Sequence, residues 1–376
     1  MRSESKSILT MRQLLALFEP AFLCGFTLPD WIRLLRMNQW QVDAKYLPRA
    51  LIATVGTTFT SFFKTFEDRI DLTSLQEEKW RQPVFILGLA RSGTTHLFNL
   101  LSRDPQFCYP TRFDCYNPYT FLTLRGLGLH RLLGLVPVKK RYMDNIRTGW
   151  LSPEEDMFAS YIMTSSGYGI QRVFPKTFKD RVDAKVRLDD IKGEHPNFNA
   201  ALASFSRKLV FLNSCRPLFK SPWHTANIAQ ILEVFPEAKF ITILRNPFSQ
   251  FASMASMNRS QAKEWSTIQK SSEISDQMRL DRISFLLGRY LETRDLIPKS
   301  NLVEVKYQEL VENQTATLQK TYTGLGVEIP ASFRTASVVA YQQNQHPELS
   351  PELKGRIRET YRPFVAAGLF EPCELQ

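Results

Sequence analysis

Long hydrophobic runs are missing from this 376-residue sequence. The most apolar early stretch, Leu14 to Leu28, is interrupted by Glu19, Pro20 and Gly25 and is too short and broken to span a bilayer. No secretory signal is legible in the polar start Met-Arg-Ser-Glu-Ser-Lys. Cysteine is sparse: the five thiols Cys24, Cys108, Cys115, Cys215 and Cys373 are odd in number and none has C-x-x-C spacing. That argues against a disulfide framework or a zinc site and for a reducing, cytoplasmic setting. Cys108 and Cys115 are close enough in sequence to pair, but buried free thiols are the expectation. No metal-ligand cluster is visible, so no metal is expected. Internal repeats and low-complexity linkers are absent too. So are long runs of one charge. The 48 Lys and Arg against 37 Asp and Glu give a formal net charge of +11, but the basic residues are scattered. Nucleic acid is therefore disfavoured, while an anionic ligand or an anionic membrane surface suits the balance.

What the chain does have is aromatic bulk, with 27 Phe, enough for a packed core in one large α/β domain with an appendage. Residues 1–75 read as a helical N-terminal segment, and residues 76–376 as the α/β domain. In the segment, Leu14, Leu15, Leu17, Phe18, Phe22 and Leu23 come first. Trp31, Ile32, Leu34, Leu35, Met37 and Trp40 follow beside Arg33 and Arg36, then Leu51, Ile52, Val55, Phe59, Phe62 and Phe63. Such faces either complete the protein's own core or lie on a membrane surface as interfacial helices. The character changes at Pro83. Val84 to Leu87 is a continuous apolar run of strand length, followed by a tight loop and a helical stretch from His96 to Arg103. Further strands are expected at Leu209 to Leu212, Phe240 to Leu244 and Leu302 to Val305. Helical stretches at Thr225 to Val234, Phe248 to Met257 and Asp281 to Thr293 alternate with them. The alternation predicts a P-loop-like central parallel sheet flanked by helices.

Strand, loop and helix in that order make a cradle for phosphate, because backbone N–H groups and the helix dipole converge on an anion. Gly88 and Gly93 stand at P-loop spacing, yet Thr94 occupies the place of the Walker lysine. The loop's cation is instead Arg91. This disfavours a nucleoside triphosphatase or nucleotide kinase. A second motif follows the strand at Phe240: Arg245 ends it, Asn246 can cap the next helix and Pro247 suits its first position. Ser249 and Ser253 share a face of that helix, which lets Arg245 and Ser253 reach one phosphate. The alternative is a strand-end Arg paired with an acid. Ser152-Pro153-Glu154-Glu155-Asp156 is an acidic segment whose Ser152 and Glu155 have capping-box spacing.

These two motifs resemble the sulfotransferase superfamily over residues 83 to 325. Leu89 to Thr95 looks like its 5′-phosphosulfate loop, in the Arg form of the tyrosylprotein and bacterial-type branches. Arg245-Asn246-Pro247 with Ser253 looks like its 3′-phosphate site. The resemblance implies 3′-phosphoadenosine-5′-phosphosulfate (PAPS) as sulfuryl donor, bound by Arg91, Ser92, Gly93, Thr94, Thr95, Arg245 and Ser253. It adds Tyr307, in Val305 to Leu310, near the adenine, and Lys220, in Phe219-Lys220-Ser221-Pro222, acting with Arg91 on the transferred group. It makes Glu154 or Glu155 the base for an acceptor hydroxyl, with His224 and His96 as rivals. The ordinary readings are a surface lysine, a core tyrosine, a helix cap and structural histidines. No Arg-Lys-Gly-type segment is found, so the third wall of the cofactor site is unassigned, with Lys354, Arg356 and Arg358 in its range. The acceptor is expected to be a small-molecule or lipid alcohol, reached in peripheral contact with a membrane. A non-catalytic membrane-associated nucleotide-binding protein is the remaining alternative.

Overall fold

A computed structural model describes residues 21–140, 146–176, 197–261, 268–269, 274–330 and 347–375. The described residues begin, after a short 3-10 turn, with α1 (Leu28–Met37) and α2 (Leu47–Glu67), then enter β1 (Val84–Leu87), α3 (Thr94–Leu101) and β2 (Phe107–Cys108). Short helices α4 (Phe121–Gly126) and α5 (Leu129–Gly134) lead to a small antiparallel ribbon, β3 (Lys139–Lys140) and β4 (Arg147–Thr148). After α6 (Met157–Thr164) and α7 (Phe198–Asn213) come β5 (Arg216–Lys220), a 3-10 turn over Pro222–Ala226, α8 (Ile228–Val234), β6 (Lys239–Leu244) and α9 (Pro247–Gln261). The chain ends through α10 (Asp276–Thr293), β7 (Leu302–Lys306), α11 (Tyr307–Glu312), α12 (Gln314–Gly324) and α13 (Pro351–Ala366).

Five strands form one parallel sheet in the order β2-β5-β1-β6-β7. From β1 the chain leaves toward β2, and it later crosses over β1 between β5 and β6. The carboxyl end of β1 is therefore the topological switch point, where open α/β sheets hold their ligands. All four residues of β1 are buried, as a central parallel strand requires. Its alternate residues feed two cores. Phe85 stacks with Phe219 and Phe240, ring centroids 5.2 and 5.7 Å apart, on one face. Val84 and Ile86 join Leu218, Ile241, Val303 and the apolar side of α3 on the other.

The expected strand at Leu209 to Leu212 is helical instead. A four-residue apolar run does not distinguish strand from buried helix, and here Phe198, Ala201, Leu202, Phe205 and Leu209 continue one buried helical face. The strand lies just beyond, at Arg216–Lys220. Its pattern is disguised by Pro217, which sits opposite Cys108 where the partner β2 is only two residues long.

The two N-terminal helices differ. α1 buries Trp31, Leu34 and Leu35, and Trp31 joins the same core cluster as Phe85 and Phe113. The interfacial reading fails for Trp31. α2 is turned the other way. It sets Ala53, Thr57 and Thr60 against the body, with Gly56 close against Cys24, and leaves Leu47, Leu51, Val55, Phe59, Phe62 and Phe66 exposed. Its last residue, Glu67, is buried. The Glu67 carboxylate accepts from the Leu122 and Thr123 N–H groups and the Thr123 hydroxyl, and pairs with Lys208 at 3.0 Å. A carboxylate at the first turn of α4 complements the helix dipole and ties α2 to α4. The five cysteines are free.

Candidate active site

The loop after β1 is shaped by its backbone. Gly88 and Gly93 have φ of +136° and +102°. A Cβ on Gly88 would lie 2.6 Å from the Ile243 carbonyl oxygen, and one on Gly93 would lie 2.4 Å from the Tyr307 ring. Arg91 also has positive φ, 70°, a costly conformation for a side chain with a Cβ. The second motif holds it there. Arg245 Nη1 donates to the Arg91 carbonyl at 3.0 Å, Gln250 Nε2 to the Ala90 carbonyl at 2.6 Å, and Arg91 Nε to Ser253 Oγ at 3.0 Å. The Arg245 guanidinium stacks on the Tyr307 ring, 4.3 Å from its centroid. Residues scattered from 91 to 307 thus meet at one end of a cleft lined by Thr94, Thr95, Arg91, Arg245 and Tyr307. The expected cap also forms: the Ser249 N–H donates to Asn246 Oδ1 at 3.1 Å, with Pro247 first in α9.

Behind the loop, Lys220 ends β5 and is only 2% exposed. It is therefore no surface lysine. Its Nζ lies 2.7 Å from Glu155 Oε1 and 3.3 Å from Thr95 Oγ1. Glu154 and Glu155 both line the cleft; Glu155 has Lys220 as partner, while Glu154 forms a 2.9 Å pair with Arg112. Burial opposes the Arg112 charge, but Glu154 and Tyr116 outweigh it and raise its pKa. The Ser152–Glu155 capping box does not form. Ser152 Oγ accepts from the Gly149 N–H, and α6 begins only at Met157, with Asp156 in the cap position.

The histidines separate. His224 is fully buried, its Nε2 2.7 Å from Asp156 Oδ2 and its ring edge-on to Phe85, and it is not among the cleft-lining residues. It anchors the acidic segment from behind. His96 lines the cleft, and its pKa is lowered by burial and then by Arg103. Lys354, Arg356 and Arg358 do not line the cleft. They meet Glu348, Gln277 and the Leu375 carbonyl instead.

Sequence reasoning missed the far end of the cleft. Tyr116, Met157, Phe158, Tyr161, Trp223, Met254, Met257, Ile283 and Leu286 line it, with Arg112, Arg172 and Arg282 among them. Their apolar residues carry no signature apart from ordinary core residues. The cleft thus joins the polar, cationic loop to a set of mainly apolar side chains punctuated by three arginines.

A glycine-bordered loop at a sheet switch point, backed by Arg and Ser from the next strand–helix junction, marks the chain as a protein of the P-loop-like α/β class. The family is then fixed by comparison: the model of the sulfotransferase family matches residues 83–331, and the chain belongs to it. It is an enzyme that transfers a sulfuryl group to a hydroxyl. The omega-hydroxy-beta-dihydromenaquinone-9 sulfotransferase Stf3 of Mycobacterium tuberculosis and that of Mycobacterium bovis are each 25% identical over 310 residues, covering 81% of this chain and 78% of theirs. The fold is similar to that of sulfotransferase STF1 from M. tuberculosis, with TM-score 0.53 and 18% identity over 81% of this chain and 87% of the other. It is also similar to STF9 from Mycobacterium avium, with TM-score 0.53 and 16% identity over 98% of both chains.

Proposed function

We propose that the chain uses PAPS to sulfate the hydroxyl of a hydrophobic, lipid-like alcohol, working at the cytoplasmic side of a membrane in peripheral contact. The observation that carries this is the contact of Lys220 with Glu155 and Thr95, both of which line a cleft shared by cationic and apolar side chains. The cradle fits an anion on its own terms. Ser92 Oγ is buried in the loop with no hydrogen-bond partner, a vacancy that a phosphate oxygen would satisfy. Arg91, Thr94, Thr95 and the loop N–H groups would hold the 5′ end of the donor, and Arg245 with Ser253 the 3′-phosphate, beside Tyr307. PAPS supplies an activated sulfuryl group on a phosphate leaving group. Lys220 and Arg91 place positive charge where negative charge develops, which is where preorganised cations lower the barrier most. Glu155 takes the acceptor's proton, a role its place in the cleft suits better than that of His224, sealed behind it. The apolar wall excludes water and orients the alcohol.

The acceptor class rests on that wall and on the relatives, which are named for omega-hydroxy-beta-dihydromenaquinone-9. Among the described residues no helix is long and apolar enough to cross a membrane, so the proposed contact is peripheral. Incubation with labelled PAPS and fractionated lipid and aqueous extracts, read by mass spectrometry, tests the reading. Label should enter an apolar alcohol. Label entering only water-soluble acceptors would overturn the lipid assignment, and turnover with ATP and magnesium but none with PAPS would revive the kinase.

A further inference from the structure

Between Asp114 and Asp144 the sequence holds no acidic residue. In the same stretch the structure exposes Leu127, Leu132, Leu135, Val136 and Val138, with Leu135 at 79%. Arg131, Lys139 and Lys140 are exposed among them. Single exposed leucines need no explanation, but a run of them without acids and interleaved with cations does. Water solvates such a surface poorly. The interface of an anionic bilayer satisfies both halves, taking the side chains of the leucines and valines into the acyl boundary and the cations at the headgroups.

The run is also joined to the active site. Gly134, at the end of α5, lies close enough to Leu151 that an added Cβ would come within 2.8 Å of its side chain, and Gly149 is similarly close to Val138. From there the chain passes Trp150, whose carbonyl accepts from the Phe113 N–H, and Ser152, whose carbonyl accepts from the Arg112 N–H. It then reaches Glu154 and Glu155. Ile146, beside β4, lines the cleft itself. The segment that exposes apolar bulk thus packs against the one that runs on to Glu154 and Glu155 at the cleft.

We infer that residues 127–140 form a docking platform for an anionic lipid surface, which brings a membrane-dissolved acceptor to the cleft without passage through water. This rests on the lipid-acceptor reading above and names the surface that serves it. The test is sedimentation of the full-length protein with phosphatidylcholine vesicles, with and without phosphatidylglycerol. Binding of 3′-phosphoadenosine-5′-phosphate and the melting temperature are measured on the same samples. Wild type should sediment with the anionic vesicles and be released by high salt. Leu132→Glu with Leu135→Glu should lower partitioning at least about tenfold, and Lys139→Gln with Lys140→Gln about fivefold per charge removed. Nucleotide binding and melting temperature should hold in both variants. Failure of wild type to sediment at low salt, equal sedimentation with neutral vesicles, or wild-type sedimentation of the leucine variant would each overturn the platform. Loss of nucleotide binding in wild type would instead count against the PAPS reading, so the two failures are distinct.

Discussion

Adjacent carboxylates in this site meet different partners. Glu155 faces Lys220 at the cleft, while Glu154 is tied to Arg112. Glu155→Gln should therefore lower turnover by at least ~10²-fold with little change in melting temperature. Glu154→Gln should cost about 1–3 kcal/mol of stability through loss of a charged hydrogen bond, with a smaller effect on turnover. Steady-state kinetics and thermal melts on the two variants decide between them, and the reverse pattern would move the base to Glu154. His96 offers a pH signature. Its folded-state pKa lies below the ordinary 6.5 because burial and Arg103 disfavour the imidazolium. The stability linked to it is therefore present above the unfolded pKa and lost as pH falls through the folded one. His96→Gln should flatten the decline in melting temperature between about pH 7 and 5. An unchanged slope would show that other groups set it.

The elements were unequally legible. The β1 loop and the Arg245 junction could be read because gripping phosphate demands particular residues at fixed short spacing, and spacing is what a sequence displays. β5 was hidden by Pro217 and by the stronger apolar run of Leu209 to Leu212. The N-terminal helices could be recognised by period, but not which way each would turn, because that depends on what lies across from them. α1 gives its large residues to the core, whereas α2 gives its small ones and keeps Leu51, Val55, Phe59 and Phe62 outside. Trp31→Ala should consequently cost about 3–5 kcal/mol, while Phe59→Gln should stay within about 0.5 kcal/mol. Denaturant unfolding of the two variants checks this. A large loss at Phe59 would mean that the outward face of α2 is covered.

On the scale of the whole molecule, a parallel sheet brings the ends of β1, β5, β6 and β7 to one edge, and with them Arg91, Lys220, Arg245 and Tyr307. The apolar chamber is assembled from α6, α9, α10 and the turn after β5, elements that meet only in the folded chain. No local pattern announced it. In the proposed function this edge holds a nucleotide bearing both a 5′ and a 3′ anion, with Arg245 at the second. Calorimetry with 3′-phosphoadenosine-5′-phosphate and with adenosine 5′-phosphate tests it directly, on wild type and on Arg245→Ala. The arginine variant should lose at least about tenfold in affinity for the first ligand and much less for the second, since a charge-assisted contact to the 3′-phosphate exists only in the first. Equal weakening of both ligands, or no preference of wild type for the 3′-phosphorylated one, would contradict the account.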